Sequence, residues 1–167
     1  MRKTEIVGEF GEIFIAQTMQ NLGYEVDRLD AEGIDLAAYS NDGTRYGISV
    51  KSRCIQEKNN DGINLTYNDL TYTYNQSRKR GIIPAYAFII HKNDRIDMFI
   101  ATQEFICKNY LGIDSIETYM ETFTSKKDSG STKSFSTSLK SREKWRHTNN
   151  EGVIYTATLT LLDKLSE

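Results

Sequence analysis

Two alternating segments joined by a tight turn constrain the fold of this chain most. Residues 34–39 read Ile-Asp-Leu-Ala-Ala-Tyr and residues 45–53 read Arg-Tyr-Gly-Ile-Ser-Val-Lys-Ser-Arg. Between them lies Asn41-Asp42-Gly43, and an Asp-Gly pair supplies the positive φ that a tight turn needs. The period of two in both segments therefore predicts two antiparallel strands in a β-hairpin.

The same period assigns every side chain of the hairpin to one of two faces. On the second strand, Ile48 and Val50 share one face, whereas Ser49 and Lys51 share the other. On the first strand, Asp35 points away from its apolar neighbours. We expect the apolar side chains to face the core, and a carboxylate and an ammonium to emerge together on the face that is not packed.

This hairpin resembles that of the PD-(D/E)XK nuclease superfamily, which has the restriction-endonuclease-like fold, and within it the Holliday-junction-resolvase-like branch. The family carries an Asp on one strand and Glu-x-Lys on the next. Asp35 and Lys51 occupy two of those positions, whereas Ser49 stands where the family has Glu. The resemblance implies a catalytic site at Asp35, Lys51 and the substituted position, Ser49.

The N-terminal segment extends the resemblance. Apolar residues recur at helical spacing over residues 4–22, which predicts a first helix. Gly8-x-x-x-Glu12 followed by Leu22-Gly23-Tyr24-Glu25-Val26 resembles the opening of the resolvase-like branch, where a helical Glu reaches the metal. Glu12 fits that position best, and Glu9 is the second choice. An acidic row of this kind is, taken alone, usually a solvated helix face.

The resemblance also implies a metal cofactor. Nucleases of this superfamily hold one or two Mg²⁺ ions on carboxylates, and Mn²⁺ is expected to substitute. Two carboxylates and a backbone carbonyl satisfy Mg²⁺, so the implied ligands are Asp35, Glu12 and the carbonyl of Val50. Lys51 would orient the attacking water or offset negative charge in the transition state.

Ser49 leaves that metal shell one carboxylate short. A subgroup of type II restriction enzymes with Ser-x-Lys on this strand takes the acid from the following helix. Asp69 is the matching candidate metal ligand here, and Glu57 and Asp61 are less regular options. The alternative is that the metal site has been lost.

Downstream patterns predict the rest of an α/β core. Thr66 is expected to cap a helix over 67–80, strands are expected over 85–91 and 96–101, and a short helix capped by Thr102 is expected to extend to about Leu111. The resemblance implies an αβββαβ restriction-endonuclease-like core over about residues 4–105, with a mixed central sheet flanked by helices.

Residues 112–167 are expected to form a C-terminal extension within one domain that spans 1–167. Residues 116–123 suit either a helix or a strand, residues 125–138 are predicted to be a Ser/Thr/Lys-rich loop, and residues 152–161 alternate like a strand. A chain of 167 residues is too short for two ordinary domains.

Charge is distributed unevenly along the chain. Residues 126–147 hold seven Lys or Arg and two acids, whereas residues 1–125 hold 13 basic and 18 acidic residues. Such asymmetry would place acidic metal ligands beside a phosphate-binding surface. The predicted DNA contacts on that surface are Lys140, Arg142, Lys144 and Arg146. A solvated segment without a partner is the alternative.

Composition excludes several other classes of protein. No apolar run approaches the roughly 20 residues of a membrane helix, and Met1-Arg2-Lys3 leads into no apolar segment, so a cytoplasmic protein without a membrane partner is expected. The two cysteines and two histidines are isolated in the sequence. Neither a zinc site nor a cysteine nucleophile is predicted.

The resulting interpretation is a metal-dependent endonuclease that hydrolyses DNA phosphodiester bonds with Mg²⁺. The alternative is a catalytically inactive module of the same fold that binds nucleic acid or a protein partner, because Ser49 removes an acid. The resemblance also implies a homodimer, although the sequence shows no heptad repeat or obvious apolar patch.

Overall fold

The computed structural model describes residues 3–55, 62–122, 132–147 and 150–160. The helices are α1 Lys3–Asn21, α2 Tyr67–Arg80, α3 Gln103–Ile106, α4 Ile116–Glu121 and α5 Leu139–His147, and a π-helical turn, Cys107–Leu111, continues α3. The strands are β1 Glu25–Ala31, β2 Ile34–Tyr39, β3 Arg45–Cys54, β4 Gly62–Thr66, β5 Ile83–Lys92, β6 Arg95–Thr102, β7 Thr132–Ser136 and β8 Val153–Thr160.

Six of these strands form one mixed sheet in the order β1-β2-β3-β5-β6-β8. β3 and β5 are parallel, and every other neighbouring pair in this sheet is antiparallel. A parallel pair needs a crossover connection, which α2 provides between β3 and β5. The chain order α1-β1-β2-β3-α2-β5 confirms the predicted α/β fold class with an αβββαβ core, into which β4 is inserted ahead of α2.

The hairpin that organises the core forms as predicted. Gly43 has a φ of 90°, and the Asp42 carboxylate accepts the Thr44 N–H at 2.8 Å, so the turn is closed locally. The alternation of β3 also holds on its apolar side, where Ile48 and, more peripherally, Val50 join the core beneath α1. The local sequence therefore specifies both the turn and the register of the strands.

Each face of the sheet carries its own hydrophobic core. Under α1, Ile15 and Met19 pack on one face of the sheet. On the opposite face, aromatic rings dominate: Phe88 stacks on Phe135 with centroids 3.8 Å apart, and Phe99 stacks on Trp145 at 5.3 Å. Because β7 and α5 supply Phe135 and Trp145, the C-terminal extension completes the core on the α2 side of the sheet.

The loop predicted over residues 125–138 is wrong in part. Residues 132–136 form β7, which pairs with β4 in a two-stranded antiparallel ribbon. The partner strand β4 begins at Gly62. Residues 56–61 and 123–131, including Glu57 and Asp61, lie outside the described residues. The ambiguous segment after residue 115 is helical over Ile116–Glu121.

α1 exposes part of its apolar stripe to solvent. Ile6, Phe10 and Ile13 are 53%, 50% and 54% exposed, and their spacing places them on one helix face. The expected homodimer nevertheless stays a prediction.

Neither α1 nor any other helix in the described part of the chain has the length and apolarity needed to cross a bilayer. The cytoplasmic location likewise stays a prediction.

A buried carboxylate on β6, Asp97, fastens α5 to the sheet. Its side chain is 1% exposed and accepts hydrogen bonds from Arg142 Nη1, Arg95 Nε at 2.8 Å and the Thr158 hydroxyl. Arg142 is 3% exposed and also donates to the Thr137 carbonyl at 2.9 Å. The prediction that Arg142 contacts DNA is therefore wrong, since its guanidinium is buried against Asp97.

Replacing Asp97 with Asn should destabilise the fold by about 3–5 kcal/mol, because Arg142 would be left buried without its counter-charge. Burial acts to raise the pKa of Asp97, but the hydrogen bonds from Arg95, Thr158 and Arg142 outweigh it and lower the pKa. The carboxylate thus contributes stability above its unfolded-state pKa of about 3.9 and loses that contribution as pH falls toward the native pKa.

Urea unfolding at pH 7 and at several values between pH 5 and 3 measures both effects. The parent should lose more stability over the acid range than Asp97→Asn does. Asp94→Asn removes an exposed acid from the adjacent turn and should behave like the parent at every pH. A loss below 1 kcal/mol in Asp97→Asn at pH 7 would contradict a structural role for this ion pair.

Candidate active site

The site begins where β2 and β3 separate. Their backbone ladder ends at the pair Leu36–Ile48, whereas β3 stays paired with β5 as far as Cys54. In the gap, Asp35 Oδ2 accepts the Val50 N–H at 2.6 Å, so a side chain replaces the missing strand partner. The N–H and C=O of one strand residue point to the same side, which directs the Val50 carbonyl toward the same gap.

The opposite wall is the first turn of α2. Thr66 and Asp69 form a capping box, in which the Asp69 N–H donates to the Thr66 hydroxyl at 3.0 Å and Asp69 Oδ2 accepts the Thr66 N–H at 2.8 Å. Asp69 Oδ1 accepts from Lys51 Nζ at 2.8 Å. The helix cap therefore holds a carboxylate, and that carboxylate holds the β3 lysine across the site.

These walls enclose a cleft of about 370 Å³. Of the residues predicted to form the site, the structure brings five together along the cleft: Asp35, Ser49, Val50, Lys51 and Asp69. The lining residues that the sequence analysis missed are Glu32, Gly33, Thr66, Asn68 and Tyr72. Their proximity to Asp35 and Asp69 in sequence was the only available signal.

Ser49 is enclosed more fully than expected. The face that carries Asp35, Ser49 and Lys51 was predicted to be unpacked, but α2 lies against it and leaves Ser49 only 3% exposed. Asp35 and Lys51 are half-buried beside it. α2 covers this face, whereas the alternation of a strand defines two faces without indicating which of them a later helix will cover.

Glu12 is not among the residues that line the cleft. Its carboxylate accepts from Arg28 Nη2 of β1 at 2.6 Å, and the side chains of Arg28 and Glu12 are 57% and 27% exposed. Its charge nevertheless acts on Asp35. Glu9 is exposed one turn earlier on α1. The roles of Glu12 and Glu9 at a metal therefore stay predictions.

The two acids Asp35 and Asp69 are shifted in opposite directions. Burial raises the pKa of Asp35, and the nearby charge of Glu12 adds to the rise, against the opposing Val50 hydrogen bond. Burial also acts to raise the pKa of Asp69, but hydrogen bonds from Lys51 and Thr66 outweigh it and hold the pKa below its usual value. Asp35 is thus the cleft acid whose negative charge is less well compensated.

A divalent cation would relieve that charge. Mg²⁺ in nucleotide and polynucleotide enzymes is bound by one or two carboxylates plus substrate phosphates, so Asp35 and the Val50 carbonyl fit part of such a shell. Within residues 3–55, 62–122, 132–147 and 150–160, no three His, Cys, Asp or Glu side chains converge closely enough to hold a metal ion by themselves. The donor set therefore fits an ion that is shared with a substrate.

The predicted DNA-contacting residues lie on α5. Lys140, Lys144 and Arg146 are exposed, and Arg146 Nε donates to the Thr158 hydroxyl at 2.9 Å. Arg142, buried against Asp97, is excluded from this surface. Three of the four predicted cations thus remain accessible to a polyanion.

Comparisons with known proteins give little beyond the fold. The sequence matches no protein-family model, and no curated protein matches it. A solved structure that resembles the chain is Hjc of Archaeoglobus fulgidus, described as a Holliday junction resolvase from an archaeal hyperthermophile, with 14% identity and a TM-score of 0.46. The match covers 59% of this chain and 74% of that one. A likeness at this level carries no argument about activity, which has to rest on the cleft itself.

Proposed function

We propose that this chain is a Mg²⁺-dependent deoxyribonuclease and that Mn²⁺ substitutes for Mg²⁺. The observation that carries the proposal is the convergence of Asp35, Lys51 and Asp69 in one cleft between β2, β3 and α2. Asp35 and Lys51 hold the two positions that match the PD-(D/E)XK pattern, and Asp69 lies on the helix that supplies an acid in the Ser-x-Lys subgroup.

The metal would be held by Asp35 and the Val50 carbonyl on one side, with phosphate oxygens and water completing its shell. Glu12 is the proposed third ligand, because it fits the position of the helical Glu in the resolvase-like pattern. The bound ion would polarise the phosphate and lower the pKa of the attacking water. The chain contributes the Val50 N–H, which fixes the Asp35 carboxylate at the mouth of the gap.

Lys51 is the proposed catalytic lysine. Its ammonium is held at 2.8 Å from Asp69 Oδ1, which keeps the charge inside the cleft when no substrate is present. A compact ammonium at that place can orient a water molecule or offset charge that develops on the phosphate. Both oxygens of Asp69 are engaged by Lys51 and Thr66, so Asp69 is better suited to orient Lys51 than to bind the metal.

A catalytically inactive DNA-binding or protein-binding module is the second candidate. It is favoured by Ser49, which leaves one acid fewer than the family pattern, and by the lack of three convergent ligands among the described residues. The exposed cations of α5 serve either function. Metal-dependent cleavage is the observation that separates the two.

Asp35→Asn should lower Mg²⁺-dependent cleavage of plasmid, junction and single-stranded DNA at least about 100-fold, because a metal ligand supplies several kcal/mol of transition-state stabilisation. Asn still accepts the Val50 N–H, and it removes a carboxylate whose pKa is raised by burial, so the melting temperature should not fall.

Asp114→Asn is the matched control, since it removes an exposed acid between the π-helical turn and α4. Cleavage by the parent that survives Asp35→Asn would remove Asp35 from the site. If the parent cleaves none of these substrates with either metal, the nuclease proposal is rejected in favour of the catalytically inactive binding module.

Ser49→Glu should tighten Mn²⁺ binding about tenfold in a calorimetric titration, because the new carboxylate enters the cleft beside Asp35 where the metal shell is incomplete. Ser134→Glu, which adds an acid to the exposed face of β7, should leave the affinity unchanged. If Asp69 already served as the second ligand, Ser49→Glu would instead weaken binding by crowding an occupied shell, and Asp69→Asn would abolish it.

The three exposed cations of α5 are proposed to bind DNA phosphates. Replacing Lys140, Lys144 and Arg146 by Gln should lower the salt dependence of DNA affinity, by about 0.9 in the logarithmic slope for each phosphate that the protein no longer neutralises. The matched triple variant replaces the exposed cations Arg45, Arg80 and Lys108. Equal slopes in the parent and the α5 variant, measured by fluorescence anisotropy, would remove α5 from the interface.

A further inference from the structure

The turn before Asp35 is pressed against the backbone of α2. Gly33 has a φ of 86°, and a Cβ at this position would lie 2.6 Å from Tyr72 Cβ and 2.7 Å from the Thr73 nitrogen. Any larger residue at position 33 would therefore displace α2. The start of β2 and the second turn of α2 are therefore in direct contact. Asp35 follows Gly33 by two residues, and Asp69 precedes Tyr72 by three.

Two buried hydroxyls bridge this contact. Thr73 Oγ1 lies 2.8 Å from the Gly33 carbonyl and 2.9 Å from the Asp69 carbonyl. The Tyr86 hydroxyl, from the central strand β5, lies 3.0 Å from the same Asp69 carbonyl and 3.2 Å from Thr73 Oγ1. Both residues are fully buried. The four groups form a closed network between β2, α2 and β5.

Counting protons assigns the direction of these bonds. Each hydroxyl has one proton, so Thr73 cannot donate fully to both carbonyls at once. The arrangement that satisfies both has Thr73 donating to the Gly33 carbonyl and Tyr86 donating to the Asp69 carbonyl. One hydroxyl then holds the strand that leads to Asp35, and the other holds the helical turn that carries Asp69.

We infer that Thr73 and Tyr86 are positioning residues that set where Asp35 and Asp69 stand relative to each other across the cleft. Neither side chain lines the cleft, so both act through the backbone at Gly33 and Asp69. As regards metal binding and cleavage, this inference rests on the proposed function. The positions of Asp35 and Asp69 do not depend on the proposed function, and they can be measured without a metal ion or a substrate.

Two backbone amides report the positions of the acids without any metal. The Val50 N–H donates to Asp35 Oδ2 at 2.6 Å, and the Thr66 N–H donates to Asp69 Oδ2 at 2.8 Å. The exchange rates of these two amides, measured by NMR, therefore report separately on the positions of Asp35 and Asp69. The amide of Phe88, in the central strand, serves as the reference for global opening.

Thr73→Val removes the hydroxyl at nearly constant volume and should accelerate Val50 exchange about tenfold relative to Phe88, since the Gly33 carbonyl loses its donor. Tyr86→Phe should accelerate Thr66 exchange in the same way. Thr73→Ser, which keeps the hydroxyl, should restore the parent rates. Thr71→Val is the matched control, because Thr71 is a buried threonine of α2 whose hydroxyl donates to the Asn68 carbonyl at 3.3 Å, away from Gly33.

The inference is overturned if Val50 and Thr66 keep the parent rates in Thr73→Val and Tyr86→Phe, or if Phe88 accelerates by the same factor, which would indicate general destabilisation. Mn²⁺ titration of the same proteins then reads the functional consequence, a loss of affinity of about 10- to 100-fold in Thr73→Val. A parent that binds no Mn²⁺ would end the proposed function, while the amide rates would still decide the positioning role.

Discussion

The hydrogen bond from the Val50 amide to the Asp35 carboxylate marks the place on which the rest of the site depends. β2 and β3 are paired along one half of β3 and apart along the other, and an unpaired strand amide in a half-buried position needs an acceptor. Asp35, the second residue of β2, supplies this acceptor. The same bond stops the carboxylate from turning out into solvent. The need of the Val50 amide for an acceptor therefore orients the Asp35 carboxylate in the cleft.

α2 turns this opening into a cleft. Its buried face consists of Leu70, Thr71, Thr73 and Ser77, and three of these are small hydroxyl residues that let the helix approach the sheet closely. Gly33 and Gly47 present no side chain where the helix crosses, and a Cβ at Gly47 would lie 2.6 Å from Ser77 Oγ. Close approach brings the capped first turn, and with it Asp69, within reach of Lys51. Local helix chemistry thereby becomes part of the site.

Charge in the cleft is unevenly compensated. Hydrogen bonds from Lys51 and Thr66 lower the pKa of Asp69, whereas burial raises the pKa of Asp35, which accepts the neutral Val50 N–H. Away from the cleft, the negative charge of Asp97 is compensated by Arg95 and Arg142, and this carboxylate holds α5 to the sheet. The buried Asp97 stabilises the packing of α5, whereas the half-buried Asp35 carries a negative charge that a cation would neutralise.

Periodicity and turn chemistry, which act within a few residues, were enough to predict the hairpin, the cap and extent of α2, the order of the core elements, and the shared face of Asp35, Ser49 and Lys51. Long-range packing, in contrast, placed α2 over Ser49, paired Asp69 with Lys51, and brought Glu32 and Tyr72 into the cleft. The same is true of Arg142: in sequence it is one cation of a basic run, and in the fold it is the buried partner of Asp97, 45 residues away. Such outcomes depend on which segments distant in the chain pack together, and residue spacing carries no information about that.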